Sequence, residues 1–173
     1  NTASGFSAVG YYFGRRLHRE LKVPIGLIGS NWGGTRIEPW TTQGGFASVP
    51  ELKNLADQVA GYTASTRVGG GTPAAIYNSM VHPLTPFAMR GAIWYQGESN
   101  NGEGMLYHEK MKALIAGWRS VWNNPELPFY FVQLAPFRYG SDNDPRLPGI
   151  WQAQLETLKV PHTGMAVTTD ITT

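Results

Sequence analysis

Two apolar segments with a helix-like segment between them decide the fold of this chain: Gly91-Ala-Ile-Trp-Tyr-Gln96, Met105–Trp122 and Pro128-Phe-Tyr-Phe-Val-Gln-Leu134. The first and the last are short, apolar and rich in aromatic residues, which is typical of buried strands. The middle segment repeats apolar residues on one side at helical spacing, at Leu106, Met111, Leu114, Ile115, Trp118 and Trp122. A strand, a helix and a strand in this order predict a βαβ unit with parallel strands.

The same alternation extends in both directions along the chain. Helical spacing over Phe6–Leu21, with Ser4 or Ser7 as a cap, precedes the apolar run Ile25–Gly29, which predicts another buried strand. Further elements are predicted as helices at Pro50–Ala60, Ala74–Val81 and Leu147–Leu158 and as a strand at Gly164–Thr169. We therefore predict an α/β fold in one domain over residues 1–173, with a mainly parallel sheet covered by helices on both faces.

Composition excludes several classes of function. Of the 173 residues, 42% are hydrophobic and 15% are charged, which is typical of a globular domain. The net charge of +2 comes from scattered Lys and Arg, which argues against a nucleic-acid partner, and no apolar run approaches the roughly 18 residues of a membrane span. The chain has no cysteine, and its four histidines are not at metal-ligand spacing, so we expect no metal and no thiolate chemistry.

In parallel α/β sheets, ligands bind beyond the carboxyl ends of the strands. Four segments follow predicted strand ends: Ser30–Arg36, Gln96–Gly102, Ala135–Asp144 and the residues from Asp170 onward. We expect the site to be built from some of these segments.

The first of these segments is part of a glycine-rich stretch, Gly29-Ser-Asn-Trp-Gly-Gly-Thr35. Glycines let the backbone approach a ligand closely with exposed N–H groups, which is how an oxyanion hole is built. The alternative interpretation is an ordinary tight turn. The stretch is not a phosphate loop, because the Gly-Lys-Ser/Thr ending is absent, and it is not a dinucleotide-binding motif, because the glycine spacing is wrong.

The second segment is Trp94-Tyr-Gln-Gly-Glu-Ser-Asn100. The Gln96 side chain can donate an N–H to an oxyanion, and Glu98 can act as a base or orient a partner. The alternative is a surface turn that needs Gly97 for its backbone angles. Polar residues nevertheless cluster where this fold class carries its sites.

Ser30 and Ser99 are candidate nucleophiles, but neither lies in the G-x-S-x-G motif. A serine nucleophile needs a base such as histidine within hydrogen-bond reach. No histidine follows a predicted strand end, so each of the four is interpreted as a surface or structural residue. This interpretation is least certain for His82, which precedes Pro83. A self-sufficient chain that uses Ser99 or Ser30 with His82 is one alternative.

Several blocks resemble a known family. They are Phe6-Ser-Ala-Val-Gly-Tyr-Tyr-Phe-Gly-Arg15, Val23-Pro-Ile-Gly-Leu-Ile-Gly-Ser-Asn-Trp-Gly-Gly-Thr-Arg-Ile-Glu-Pro-Trp40, Tyr77-Asn-Ser-Met-Val-His-Pro-Leu84 and Arg90-Gly-Ala-Ile-Trp-Tyr-Gln-Gly-Glu-Ser-Asn100. Their content and order closely resemble the sialate O-acetylesterase and acetylxylan esterase branch of the SGNH hydrolases. The resemblance covers nearly the whole chain.

The resemblance implies a flavodoxin-like three-layer α/β/α sandwich and removal of O-acetyl groups from sialic acids or xylan-type polysaccharides. It implies a serine acyl-enzyme mechanism with no cofactor. The family's Gly-Gln-Ser-Asn block with the nucleophile and its Asp/His block with the base are both absent from these residues. We therefore expect an interior part of such an esterase, lacking its first and last segments and inactive by itself.

The resemblance also assigns expected roles. Gly33, with Gly34 as a close alternative, would donate a backbone N–H to the oxyanion hole, and Gln96 would donate from its side chain. In related acetylxylan esterases the glutamate matching Glu98 has been proposed as the acidic member of the triad, an aspartate beside the absent histidine being the competing candidate. Residues that would line or brace the cleft are Trp32, Arg36 and Asn100. Ser99 matches the motif but not the family's nucleophile.

The expected partners are an acetylated carbohydrate and the remaining segments of the same protein, with no nucleic acid and no membrane. A secreted or periplasmic location is expected because family members acting on external glycans are often exported. The alternative outside enzymes is a catalytically inactive carbohydrate-binding domain of the same fold.

Overall fold

The computed structural model describes residues 5–85, 87–138 and 146–171. The chain forms two compact units, Asn1–Gly33 and Gly34–Thr173. The first unit contains helix α1, Ala8–Leu21, whose N-cap is Ser7. The Ser7 hydroxyl accepts a hydrogen bond from the Gly10 N–H at 3.3 Å, which satisfies one of the free donors of the first helical turn.

The strand predicted at Ile25–Gly29 is wrong: within the described residues this segment is irregular and pairs with no strand. It runs back along α1 instead. A Cβ on Gly14 of α1 would lie only 2.8 Å from a Leu27 methyl, and a Cβ on Gly29 would lie 3.2 Å from the Phe6 ring. Two of the five residues are glycines, which disfavour strands, so the apolar run alone was insufficient evidence.

The second unit contains the remaining elements. In order they are a 3₁₀ turn Glu38–Trp40, α2 Gln43–Ala47, a 3₁₀ turn Pro50–Leu52, α3 Lys53–Ala60, a π-helical turn Tyr77–Val81, a 3₁₀ turn His82–Leu84, β1 Ala92–Trp94, a 3₁₀ turn Glu98–Asn100, α4 Leu106–Val121, β2 Phe129–Val132, α5 Arg146–Thr157 and β3 Thr163–Ala166. The predicted strands and long helices of this unit are confirmed, whereas α2 was not predicted. In the described part of the chain, no helix has the length and apolar character needed to cross a bilayer.

The three strands form a parallel sheet in the order β1-β2-β3. Ala92 pairs with Phe129, and Phe129 pairs with Thr163. Helix α4 connects β1 to β2 and α5 connects β2 to β3. Because right-handed crossovers in one direction place their helices on the same face, α4 and α5 pack against each other.

The residues of the sheet alternate between a covered and an open face. Trp94, Phe129 and Phe131 are buried in one cluster with the apolar side of α4 and with Ile150 of α5. Their neighbours on the opposite face, Ile93 and Tyr130, are 37% and 44% exposed. The architecture is thus mixed α/β, a three-stranded parallel sheet flanked by helices.

Helix α4 differs from its prediction in its first two turns. Leu106 is exposed, and the buried side of the helix is formed instead by Tyr107, Lys110, Met111, Leu114, Ile115 and Trp118. A charged residue therefore lies on the buried side of this helix.

Candidate functional site

Polar side chains that follow the carboxyl end of β1 hydrogen-bond to one another. Gln96, two residues beyond β1, donates from Nε2 to the Thr35 carbonyl at 3.2 Å and to Asn100 Oδ1 at 2.8 Å. Asn100 is fully buried in the turn Glu98–Asn100. Two segments that the sequence singled out, Ser30–Arg36 and Gln96–Gly102, therefore meet at Thr35 and Gln96.

Hydrogen-bond directions fix the orientation of both amides. The Ile37 backbone N–H donates to Asn100 Oδ1 at 2.9 Å, and a backbone N–H requires an acceptor. The other Asn100 atom, Nδ2, consequently faces the carboxylates of Glu38 at 3.1 Å and Glu103 at 3.0 Å. Since Asn100 presents an oxygen, Gln96 must present its NH₂ group. Two N–H hydrogens of Gln96 are therefore engaged within this network.

The remaining oxygen of Gln96 faces helix α4. The Tyr107 hydroxyl lies 3.0 Å from Gln96 Oε1 and 3.0 Å from the Gln96 carbonyl. Burial raises the pKa of Tyr107 far above its ordinary value, so the hydroxyl keeps its proton and acts as a donor. The Tyr107 hydroxyl thus donates to the Gln96 side-chain oxygen and helps to fix the orientation of this amide.

Four charged side chains surround Asn100. Lys110 Nζ donates to Glu38 Oε1 at 2.7 Å and to the two Glu103 oxygens at 2.8 and 2.7 Å. Arg36 donates to Glu38 Oε1 from Nε at 3.2 Å and Nη2 at 3.1 Å, and it also contacts Glu103. Two cations and two carboxylates balance, which a buried ionic cluster requires.

The Glu38 carboxylate is stabilised in its charged form. Burial by itself would raise its pKa, but hydrogen bonds from Lys110 and Asn100 and the charge of Lys110 outweigh burial. The pKa of Glu38 therefore lies below the usual 4.5. Glu38 is therefore ionised at neutral pH.

Glu98 and Ser99 lie at the exposed side of the same turn. Glu98 is exposed, and its charge, after burial, is the second cause that raises the pKa of Tyr95. Ser99 Oγ donates to the Gly34 carbonyl at 3.0 Å, and the Ser99 carbonyl accepts from Arg36 Nη1 at 2.9 Å. The Ser99 hydroxyl is thus directed at a backbone oxygen and not at a histidine.

Gly97 is buried in this turn, although the alternative interpretation was a surface turn. A Cβ on Gly97 would lie 3.2 Å from Ile150 Cδ1 and 3.4 Å from Leu134 Cδ2. Helix α5 and the segment after β2 therefore pack closely against the backbone of the turn. This close packing explains the glycine.

Trp32 and Gly33 belong to the first unit. Gly33 begins an exposed turn that continues at Gly34, whose φ of 75° suits glycine. Trp32 is 56% exposed. The expected oxyanion role of Gly33 and the expected cleft role of Trp32 stay predictions.

His108 and His82 contact residues other than the candidate serines. His108 bonds the Thr157 hydroxyl at 3.0 Å, and burial lowers its pKa. His82 packs its ring edge-on against Tyr77. Within residues 5–85, 87–138 and 146–171, no group of three or more His, Cys, Asp or Glu side chains has metal-binding geometry.

Most of the segment Ala135–Asp144 and the end of the segment from Asp170 onward lie outside the described residues.

Sequence reasoning missed Glu38, Glu103 and Lys110. One signal was available for Lys110: it occupies the buried side of α4 between Tyr107 and Leu114, where a cation needs an anion. The partners were not predictable, because Glu38 is 72 residues away in the chain.

Known proteins similar to this chain point to one family. Residues 2–173 match the family described as carbohydrate esterase, sialic acid-specific acetylesterase. Sialate O-acetylesterase of Rattus norvegicus is 32% identical over 201 residues, and that of Homo sapiens is 35% identical over 181. Each alignment covers 95% of this chain but only 37% and 33% of those proteins.

A solved structure agrees with the sequence matches. The crystal structure of a carbohydrate acetylesterase from Xanthomonas citri superposes with a TM-score of 0.81 at 35% identity, over 99% of this chain and 36% of that one. The chain thus spans about a third of the length of these relatives. The match over residues 2–173 shows that this chain belongs to the sialic acid-specific acetylesterase family of carbohydrate esterases.

Proposed function

We propose that the protein is a carbohydrate O-acetylesterase that releases acetate from acetylated sugars of the sialic acid or xylan type. The observation that carries this proposal is the ordered polar end of β1, where Gln96 is held by Asn100, Thr35 and Tyr107, in a chain of an acetylesterase family. A rigid donor at a strand end is what stabilisation of a tetrahedral intermediate requires.

The proposed reaction has two steps and needs no cofactor. A serine attacks the acetyl carbonyl, the sugar hydroxyl leaves with the proton returned by histidine, and water hydrolyses the acetyl-enzyme to acetate. We propose that this serine and histidine belong to segments beyond residues 1–173. Glu98, exposed beside the site, is the proposed orienting acid for that histidine.

We propose Gln96 Nε2 as one donor to the oxyanion, and the family resemblance assigns a second donor, the Gly33 N–H. Of the two hydrogen bonds from Nε2, the bond to Thr35 is the longer, at 3.2 Å against 2.8 Å to Asn100. Gln96 would exchange the Thr35 carbonyl for the oxyanion and keep Asn100 and Tyr107 as anchors. Binding of the oxyanion would therefore change one hydrogen bond of Gln96 and leave the others in place.

The sugar would be held by side chains at the rim of this end of the sheet. The family resemblance also assigns Trp32 to sugar binding, and its exposed indole offers an apolar ring face and an N–H, a combination suited to a sugar ring. Arg36 is 43% exposed, so part of its guanidinium is accessible to a ligand. Asn100 is fully buried and would brace the site without touching the sugar.

We propose the flavodoxin-like three-layer sandwich of the SGNH hydrolases for the complete domain. The open face of the sheet supports this proposal, because the exposed Ile93 and Tyr130 are apolar surface that a second helical layer would bury. A secreted or periplasmic location is proposed on the resemblance alone.

The proposal is tested by measuring acetate release from O-acetylated sialic acid and from acetylated xylan oligosaccharides with the full-length protein. Gln96→Ala is expected to reduce kcat about 10²- to 10³-fold, the usual loss of one oxyanion donor. Gln152→Ala on α5, where the exposed side chain donates from its amide to Glu156 at 3.2 Å, is the matched control. Unchanged turnover in folded Gln96→Ala would remove Gln96 from the site.

Labelling with a fluorophosphonate, read by peptide mapping, tests the location of the nucleophile. The expected label lies on a serine outside residues 1–173. A label on Ser99 or Ser30 would mean that this chain supplies its own nucleophile. Sugar binding without acetate release and without any label would favour the alternative, an inactive carbohydrate-binding domain.

A further inference from the structure

We propose that Lys110 is a positioning residue for the esterase, setting the orientation of Gln96 through two carboxylates and Asn100. This inference rests on the proposed function, since the orientation of Gln96 matters for rate only if Gln96 serves the reaction.

The environment of Lys110 is unusual for a lysine. Its side chain is 5% exposed on a helix face otherwise formed by apolar and aromatic residues. Burying an ammonium group is costly unless every donor finds a partner. Lys110 finds three carboxylate oxygens, one of Glu38 and two of Glu103, all at 2.7–2.8 Å.

The two carboxylates transmit the position of Lys110 to Asn100. Glu38 Oε2 and Glu103 Oε2 each accept from Asn100 Nδ2, at 3.1 and 3.0 Å. Lys110 donates to both carboxylates and so favours them as acceptors, and it lowers the pKa of Glu38. Asn100 can satisfy them only with its NH₂ group, so its oxygen must point the other way, toward Ile37 and Gln96.

The same logic forbids the reversed amide. A flipped Asn100 would set Oδ1 against two carboxylates and Nδ2 against the N–H groups of Ile37 and Gln96. Each hydrogen bond of Asn100 would be replaced by a repulsive contact, either between two acceptors or between two donors. The Gln96 amide is therefore held in one orientation for as long as the carboxylates stay charged.

Arg36 cannot replace Lys110 in this task. Arg36 contacts the same two carboxylates, but its side chain is 43% exposed, and exposed ion pairs are weak and screened. Without Lys110, the buried pair Glu38 and Glu103 would take up a proton at higher pH. A protonated carboxyl is a donor and would compete with Asn100 Nδ2, which releases Asn100 and then Gln96.

The test compares Lys110→Met with Lys112→Met in the full-length protein. Lys112 lies on the same helix and pairs with Glu109 at 2.6 Å on the partly exposed side, so it is the matched control. Lys110→Met is expected to lower kcat roughly 10- to 100-fold, with KM changed less than about 3-fold, and to move the acid limb of the kcat–pH profile to higher pH. Lys112→Met is expected to change none of these. Equal profiles for the two folded variants would overturn the inference.

Two further measurements keep the inference testable. If Lys110→Met does not fold, Glu103→Gln removes one of the carboxylates while Lys110 keeps Glu38, and it is expected to lower kcat without raising KM; wild-type kcat would overturn the inference. A crystal structure of the Lys110→Met or Glu103→Gln variant is expected to show Asn100 turned away from Ile37. Unchanged hydrogen bonds of Asn100 and Gln96 would overturn the inference whatever the protein hydrolyses, whereas an inactive wild type would overturn only the proposed function.

Discussion

Helix α4 contributes side chains to two regions of opposite chemistry, one ionic and one aromatic. Near its start, Lys110 enters the charged network around Asn100. Two turns later, Trp118 joins an aromatic cluster with Trp94, Trp122 and Phe129, with ring centroids 5.8–6.2 Å apart. One face of one helix thus holds an ionic cluster and an apolar core side by side.

The difference between these regions is one of energetics. Aromatic burial contributes stability directly, because apolar surface leaves water and Trp118 packs edge to face against Trp94 and Phe129. A buried ionic cluster contributes little net stability, since desolvation offsets attraction, but it permits only one arrangement of its hydrogen bonds. We infer that the aromatic region provides stability and the ionic region provides orientation.

The segment after Gly34 connects the two regions. The Trp40 carbonyl accepts from Trp118 Nε1 at 3.0 Å, while Trp40 Nε1 donates to the Thr35 hydroxyl at 3.0 Å. Arg36 and Glu38 lie between these two anchors in the chain. The aromatic cluster therefore holds the segment that brings one carboxylate to Lys110.

The largest expected effect is on the aromatic side. Trp118→Ala should lower the free energy of unfolding by about 3–5 kcal/mol, because it leaves a cavity and frees the Trp40 carbonyl. Equilibrium denaturation measures this loss. Val121→Ala, at the exposed end of the same helix, should stay within roughly 0.5 kcal/mol of wild type. Similar losses for both variants would contradict the importance of the cluster.

The second effect is on the ionic side. Asn100→Asp keeps an acceptor for Ile37 but adds a third carboxylate beside Glu38 and Glu103, and we expect a loss of about 3 kcal/mol at neutral pH. The loss should shrink as pH falls, because protonation removes the repulsion. Asn124→Asp, which keeps its acceptor for the Glu126 N–H, is the control. A loss that does not depend on pH would argue against charge as the cause.

The third effect is the pH dependence of stability that Glu38 causes. Because its folded-state pKa lies below the usual 4.5, Glu38 contributes stability that is present above that value and is lost as pH falls through the folded-state pKa. The difference in unfolding free energy between wild type and Glu38→Gln should be largest near neutral pH and disappear in stronger acid. A constant difference in denaturation series at several pH values would mean that Glu38 gains no charge-dependent stabilisation.

The smallest effect is expected outside both regions. Lys53 pairs with Asp57 at 2.7 Å on the surface of α3, with side chains 75% and 65% exposed. Exposed pairs of this kind are screened by water and salt. Lys53→Ala should leave Tm unchanged within error in thermal unfolding. A clear fall in Tm would show that distance alone predicts the strength of ion pairs in this protein.

Apolar patterning predicted the second unit well, because α4 repeats apolar residues at helical spacing and β1 and β2 are short apolar runs. It failed at Ile25–Gly29, where a short apolar run does not show whether a segment pairs with a strand or packs on a helix. Helix α2 was missed because Gln43-Gly-Gly-Phe-Ala47 has two glycines and poor helix propensity. Tertiary packing explains it: a Cβ on Gly45 would lie 2.3 Å from the Ala113 carbonyl of α4, so only glycine permits this approach.

The candidate site was predictable in part. Gln96, Arg36 and Asn100 were singled out from their motifs, and they do lie together. The carboxylates and Lys110 were not, because an ionic cluster forms from residues at 36–38, 100–103 and 110 only after the chain has folded. A sequence shows each charge but not its partner.

The most direct test of this account is a double-mutant cycle of Gln96→Ala and Lys110→Met, read as kcat for acetate release by the full-length protein. If Lys110 acts by orienting Gln96, the double variant should be about as slow as Gln96→Ala alone, because there is no donor left to orient. If the two losses multiply, Lys110 contributes independently of Gln96, and the central claim that the ionic cluster positions this amide is wrong.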